Sequence, residues 1–417
     1  MQLFPKNLFY GWRIVAAGGV LTALISGFLN QSFGAYVAVL SEEKGWSKTA
    51  LSAAAIIKPV EAAALGPILG WCMDKFGPRN MIRIGVILFG LGFMLLSRID
   101  SLPELYLAFL SIALGASLCG QFPINVVIIH WFERQRARAL STAWMGTAAG
   151  GLIVPIVAWV MHEYSWREAA LMSGVVFVIA SWPLARVIHS RPEDIGLTVD
   201  GLPPEPQKEG EPAAPSAHDQ GYTVKQALRS PAFWLISLGH CFALLAVIAV
   251  NVHAISHIKE SLGYAISEAA LFYTLVLVFQ TGGIMLGWVI GDKYDKRHIA
   301  GCCMFAHMAG ILLLAYATGP LMLVLFAALH GTAWGLRGPF MAAMRADYFG
   351  RRQIGMIIGI SSLIVVMGQM TGPMLAGYLA DTFGNYRTAY TVLALLPGGG
   401  SLFFLTLKKP QQTATPA

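Results

Sequence analysis

The chain has 417 residues, 56% of them hydrophobic and 12% charged, with a net charge of +7 at pH 7. Soluble domains carry roughly a quarter charged residues, and no water-soluble core of this length hides so much apolar surface, so most of it must face lipid. The positive balance is spread over short loops instead of forming one patch, which argues against nucleic acid as a partner.

Read in chain order, apolar stretches able to cross about 30 Å of hydrocarbon run over 12–38, 49–73, 80–97, 103–130, 138–161 and 167–188. They resume over 231–256, 266–291, 298–317, 320–346, 353–379 and 388–407. The expected fold is an all-α membrane protein of twelve transmembrane helices in two sets of six. The first span is long and lacks a small-residue cleavage pattern, so no cleavable signal peptide is expected. Between the sets lies a polar segment, Ser190 to Ser230, with Pro203, Pro204, Pro206, Pro212 and Pro215 among Glu, Lys and Gly residues. It reads as an unstructured linker between an N-terminal bundle (1–189) and a C-terminal bundle (231–417). The five cysteines, Cys72, Cys119, Cys241, Cys302 and Cys303, fall inside spans. They read as small buried apolar residues, neither disulfide partners nor metal ligands.

The two sets repeat one another. Gly70-Trp71-Cys72-Met73-Asp74-Lys75-Phe76-Gly77-Pro78-Arg79 returns 218 residues later as Trp288-Val289-Ile290-Gly291-Asp292-Lys293-Tyr294-Asp295-Lys296-Arg297. Pro123 with Phe132-Glu133-Arg134 parallels Pro339 with Phe349-Gly350-Arg351; Pro155 parallels Pro373, and Trp166-Arg167 parallels Tyr386-Arg387. Two halves in the same running order mark a duplicated membrane protein with parallel repeats. Gly70 gives its helix a narrow surface for a neighbour. Asp74, at the membrane edge, is placed to pair with cations such as Arg79 and to accept bonds from another helix's N-terminus.

Charge sets the orientation. The loops after spans 2, 4, 8 and 10 hold Lys75, Arg79, Arg83, Arg134, Arg136, Arg138, Lys293, Lys296, Arg297, Arg345, Arg351 and Arg352, twelve cations. The opposite loops hold six: Lys44, Lys48, Arg98, Arg167, Lys259 and Arg387. The positive-inside rule places the first group, both termini and the linker in the cytoplasm of a cell membrane.

The duplicated Gly-x-x-x-Asp-Lys-x-Gly-x-Arg loop, the six-plus-six layout and the central linker resemble the major facilitator superfamily of secondary transporters. Three local stretches are similar to its monocarboxylate transporter branch and the bacterial oxalate/formate-type relatives. They are Phe9-Tyr10-Gly11-Trp12-Arg13, Arg191-Pro192-Glu193-Asp194-Ile195-Gly196-Leu197 and Ser230-Pro231-Ala232-Phe233-Trp234. The resemblance implies two pseudo-repeats around a central cavity lined by spans 1, 4, 7 and 10. It also implies a cytoplasmic gate at Asp74, Lys75 and Arg79, repeated at Asp292, Lys293 and Arg297, with Asp74 latching that side in the outward-facing state. The alternative is that these charges only fix topology, and Asp295 stands where the family prefers Gly.

Ionisable residues at mid-membrane depth are the best guide to cargo, because each is costly unless paired or wetted. Lys58 and Glu61 lie one helical turn apart in span 2, with Pro59 disfavouring regular helix beside them. Arg337 lies deep in span 10 within Gly335-Leu336-Arg337-Gly338-Pro339, and His330 precedes it by two turns, with Trp334 between. One reading is an anion clamp, Arg337 offering a two-donor fork to a carboxylate with His330 and Trp334 as its wall; the other is pairing purely for assembly. Lys58 and Glu61 divide in the same way, between transport and a self-neutralising pair. Polar residues fall on the four expected cavity helices: Asn30 and Gln31, Gln121 and Asn125, His240 and Asn251. Each alone is as well explained by an interhelical hydrogen bond.

The chain departs from the monocarboxylate pattern. Members of that branch have an Asp and an Arg in span 8 and a Lys in span 1; here span 8 is uncharged from Phe272 to Gly283 and Gln31 stands near the Lys site. If the chain carries an anion, its cations have moved to Lys58 and Arg337.

No phosphate-binding loop, nucleophile elbow or metal-ligand cluster is present in the sequence, so neither an enzyme, a cofactor nor an ATP-driven pump is expected. The expected function is alternating-access, proton-coupled transport of a small organic anion such as a monocarboxylate, by a monomer. The rival is a proton-driven exporter of drugs or metabolites, for which Gly359, Gly368 and Gly372-Pro373 give a glycine spacing resembling that of antiporters, but in span 11 where antiporters carry it in span 5.

Overall fold

The computed structural model describes residues 9–202 and 221–410. They form helices throughout, with one isolated antiparallel bridge between Gly221 and Gly350. The first half comprises α1 Tyr10–Ile25, α2 Phe33–Lys44, α3 Lys48–Phe76, α4 Pro78–Leu96, α5 Leu102–Cys119, α6 Gln121–Trp131, α7 Arg136–Ala149, α8 Val154–Glu163 and α9 Trp166–Val187. After the short α10 Val224–Arg229 come α11 Pro231–Leu262, α12 Ile266–Ile290, α13 Lys296–Ala315, α14 Pro320–Phe349, α15 Ile354–Phe383 and α16 Tyr386–Leu405. Eleven described segments are long and apolar enough to cross a bilayer; α3 fills the remaining place in a series of twelve. Helices are the natural answer in lipid, where each backbone N–H and C=O must be satisfied within its own segment.

The fold divides into two compact units, one from the described part of Met1–Gln220 with Ile354–Gly359, the other from Gly221–Gln353 with the described part of Ile360–Ala417. In the first unit α4 packs on α5 and α9, and α1 on α7. Three of its spans are interrupted. A π-helical turn, Ser26–Gln31, separates α1 from α2. Gly120, whose backbone is not helical (φ −90°, ψ −146°), separates α5 from α6. A 3-10 turn, Gly150–Ile153, separates α7 from α8. The first and third breaks pack together: a methyl group on Gly27 would come 2.8 Å from the Gly150 carbonyl oxygen. π turns inside helices commonly mark functional positions.

In the second unit α14 packs on α12 and α13, and α16 on α13 and α11. Leu245, Ala249, Ile311, Phe326, Tyr390 and Leu393 are buried in its core, and Trp334 packs against that core. The α12–α14 approach is set by Gly335, where an added Cβ would overlap the carbonyl oxygen of Gln280. Gly335→Ala should therefore destabilise the protein by about 1–3 kcal/mol through overpacking, seen as a lower thermal midpoint. Gly282→Ala, where nothing lies within 4 Å of the added methyl, should leave it unchanged or raised.

Several expectations need correction. Helix α3 passes through Pro59 and Pro67 unbroken, and α14 through Pro339. With no water in the hydrocarbon to take over released backbone groups, losing one bond at each proline costs less than opening the helix. The segment from Ser190 to Ser230 is not wholly unstructured. Asp200, at φ 56°, accepts the backbone N–H groups of Glu133 and Arg134. At the far end Tyr222 N donates to the Phe349 carbonyl and Val224 N to the Gln353 side chain. Residues 203–220, which hold the proline cluster, lie outside the described residues. Finally, three of the cations assigned to loops, Arg136, Arg345 and Arg351, are buried, and Arg345 lies within α14.

Candidate functional site

In the first unit the helix breaks expose polar side chains to one another. Lys58 Nζ donates to Asn30 Oδ1 at 2.7 Å, and Asn30 sits in the π turn. Both line a cavity of about 160 Å³ walled by Phe33 and Phe109. Gln31 Nε2 donates to Ser26 Oγ and to the Thr147 carbonyl, which ties the π turn to α7. One turn along α3, Glu61 is 4% exposed and accepts from Ser117 Oγ at 2.7 Å. Lys58 and Glu61 thus take separate partners, and no direct ion pair joins them among the described residues. Gln121 Nε2 donates to Asn125 Oδ1, one turn on along α6, at 2.8 Å, and Trp144 Nε1 donates to the same oxygen.

At the end of α3 the two Asp74 oxygens accept the backbone N–H groups of Gly355 and Met356, at 2.9 and 2.8 Å. These belong to the first turn of α15 and to the same unit. The arrangement is a carboxylate on a helix N-terminus, where charge-assisted bonds and the helix dipole act together. It requires glycine on both sides, since a Cβ on Gly70 would overlap the Gly355 carbonyl oxygen. Lys75 is exposed with its Nζ 4.6 Å from the Trp71 ring centroid, and Arg79 N donates to Ser190 Oγ. In the second copy Asp292 and Lys293 are exposed. There Asp295 accepts from both the backbone and the guanidinium of Arg297, whose other arm donates to the Leu407 carbonyl. Those bonds from Arg297 hold the Asp295 carboxyl below the usual range, so it stays ionised at neutral pH.

The second unit buries a line of basic groups. Arg337 is 0% exposed, and none of its three guanidinium nitrogens has a hydrogen-bond partner among the described residues. His330, also 0% exposed, contacts His307 of α13 through their Nδ1 atoms at 3.2 Å. Arg345 donates to Ser361 Oγ and the Met341 carbonyl and meets His240 Nδ1 at 3.1 Å, while Ser361 also bonds Ser237. His240 therefore joins Arg345, and the Oδ1 of Asn251 is buried without a partner among the described residues. A larger cavity of about 590 Å³ between α12, α13 and α14 opens on exposed Tyr294, Cys302 and Leu329. Apart from Asp295 and His298 at one end, its lining is uncharged.

Sequence reasoning missed His307, Arg345, Ser117, Ser361 and Thr147. Two left a signal. His307 sits at the middle of its span, where any ionisable group asks for a reason. Arg345 follows Phe340-Met341-Ala342-Ala343-Met344 with no turn residue, so the helix had to run on through it.

Residues 19–289 and 236–417 match the family model of the Major Facilitator Superfamily. The chain belongs to that superfamily. It is 25% identical to monocarboxylate transporter 13 of Bos taurus, over 99% of this chain and 95% of that protein. With the probable sulfoacetate transporter SauU of Cupriavidus necator it shares 23% identity, over 90% of each. Among solved structures, the E. coli fucose:proton symporter FucP superposes with a TM-score of 0.71 at 15% identity, covering 95% of this chain and 98% of that one. A bacterial homologue of the iron transporter ferroportin gives 0.72 at 14%, covering 96% and 99%. The protein is thus a multi-pass membrane transporter of the monocarboxylate-transporter-like branch with the two-repeat, twelve-helix fold, and it is not an enzyme.

Proposed function

We propose that the protein is a secondary active carrier that moves a small organic anion together with protons by alternating access. The observation that carries this reading is Lys58. It is a cation in a membrane-spanning helix, lining a cavity of about 160 Å³ and held by the neutral amide of Asn30 instead of a carboxylate. No hydrogen bond commits its ammonium to a carboxylate among the described residues, which leaves donors for an anion. The cavity is smaller than the roughly 300–1,000 Å³ typical of drug-sized ligands, which favours a compact solute. The buried Arg337, with a two-donor fork suited to carboxylates, supports the same sign of charge. Relatives named for monocarboxylates and sulfoacetate fit that chemistry. Asp74 on the α15 N-terminus supports a gating role at that end. Excluding the three buried arginines, the loop cations still favour one face, which supports cytoplasmic termini in a cell membrane.

Protein reconstituted in liposomes should exchange at least one of radiolabelled pyruvate, lactate, oxalate or sulfoacetate. Lys58→Gln should lower that exchange roughly tenfold or more, the loss of one charge-assisted bond of about 1.5–3 kcal/mol. Efflux of lipophilic cations with no exchange of any of the four acids would replace this reading with a drug exporter.

A further inference from the structure

We propose that His307 and His330 together form the proton-carrying group of the transporter, taking up one proton when an anion binds at Arg337. The proposal rests on the reading of Arg337 as a partner of the transported anion.

The geometry begins with the shared contact. Nδ1 of His307 lies 3.2 Å from Nδ1 of His330, with ring centroids 4.7 Å apart at 71°. Such a contact needs one Nδ1 to carry a hydrogen and the other to offer its lone pair. In the neutral pair the donor ring then has a bare Nε2, and the acceptor ring carries its hydrogen on Nε2. Both Nε2 atoms are buried without a partner among the described residues. A third proton has one place to go, the bare Nε2 of the donor ring. Its uptake makes that ring an imidazolium and leaves the shared hydrogen bond intact.

The surroundings decide when that proton is held. Burial of both rings comes first, and two turns beyond His330 on α14 the equally buried Arg337 adds a positive charge to their surroundings. Further basic groups are Arg345 on the same helix and His240 of α11 bonded to it. Helix α13 brings Cys303 one turn before His307; α12 brings the uncharged Gln280 against Gly331 and Gly335, and α16 brings Gly400 against Met304. The described carboxylates of this unit, Glu260, Glu268, Asp292, Asp295, Asp347 and Asp381, stand at helix ends, and neither ring has a carboxylate among its hydrogen-bond partners in the described residues. A proton on the pair therefore meets an uncompensated guanidinium. A carboxylate bound to Arg337 cancels that charge and so favours a proton on the pair. The linkage is reciprocal, so a protonated pair also holds the anion more tightly. Such coupling gives one proton per anion without an acidic residue, a role the uncharged span 8 does not supply.

The test uses whichever of pyruvate, lactate, oxalate or sulfoacetate wild-type protein exchanges in liposomes. His307→Gln keeps one neutral hydrogen-bonding side chain but removes the second titratable ring. With enough anion present to offset its weaker binding it should still exchange, which needs no net proton movement, and lose accumulation driven by an inside-alkaline gradient by roughly tenfold or more. Accumulation at the wild-type level would overturn the proposal. A measurement on wild type alone guards against a variant that fails to fold. Purified protein in weak buffer near neutral pH should take up about one proton per anion bound, and anion binding without proton uptake would overturn the proposal equally. If wild type exchanges none of the four acids, the anion reading itself falls, and that result is separate from both.

Discussion

Arg337→Lys is expected to lose most of the stabilisation that a small organic acid gives the purified protein, although the positive charge remains. Ligand binding to the folded state raises the thermal midpoint by an amount that grows with the logarithm of ligand concentration over Kd, so the shift reports binding directly. A lysine ammonium is a point charge and cannot present two parallel donors to one carboxylate. Arg337→Ala should be worse, since the charge goes too. The burial of Arg337 adds a second readout. A guanidinium that is 0% exposed, with no hydrogen-bond partner among the described residues, is a burden to the unliganded fold. Insertion scales put an arginine at a helix centre at about 2.5–3.5 kcal/mol. Arg337→Met should therefore raise the unliganded midpoint while abolishing the response to acid. Equal stabilisation of wild type and Arg337→Lys by the same acid would count against the clamp. An Arg337→Ala protein that folds only when an acidic partner is also changed would assign the residue to assembly.

Asp74→Asn should leave membrane insertion and yield intact and cut transport severely. The carboxylate accepts two backbone N–H groups at 2.8 and 2.9 Å. An asparagine has one acceptor oxygen, and its amide hydrogens would face the second N–H. Hydrogen bonds to a charged group contribute about 1.5–3 kcal/mol each, and a change of about 1.4 kcal/mol shifts a two-state equilibrium tenfold. A carrier that must hold this contact in one state and release it in another would be biased strongly away from the first. The measurement is exchange by reconstituted protein, normalised to monodisperse yield. Unchanged exchange would return Asp74 to a topological role. Asp292→Asn should have the smaller effect, because in that copy Asp295 makes the bonds to Arg297.

The spans were legible because apolar length is written locally. Where ends differ, as for Pro231–Leu262 against an expected 231–256, the helix continues past the apolar run that marks it in the sequence. The breaks were not legible. Ser26–Gln31 contains no proline, and the glycines at 120, 150 and 151 are no different in sequence from many that sit inside unbroken helices. Partnerships between helices were harder still. Gln121 and Asn125 could be paired from spacing alone because they share a helix face. Lys58 finds Asn30 at 28 positions' distance and His307 finds His330 at 23, separations over which helix periodicity carries no information. Arg345 was misplaced because a charge near the end of an apolar run looks like a loop until its serine and histidine partners are seen.

The three interruptions in the first unit also mark where its backbone opens most cheaply. Amide hydrogens exchange with solvent through local opening, and its cost is lowest where the regular ladder is cut. Deuterium uptake in the first six spans should therefore begin not only at frayed ends but in mid-membrane patches at 26–32, 118–121 and 149–154. The unbroken α12, α13 and α14 should stay protected along their lengths. An anion seated against Asn30 and Lys58 should slow uptake most in the 26–32 patch, so the site would be visible by mass without any label on the cargo.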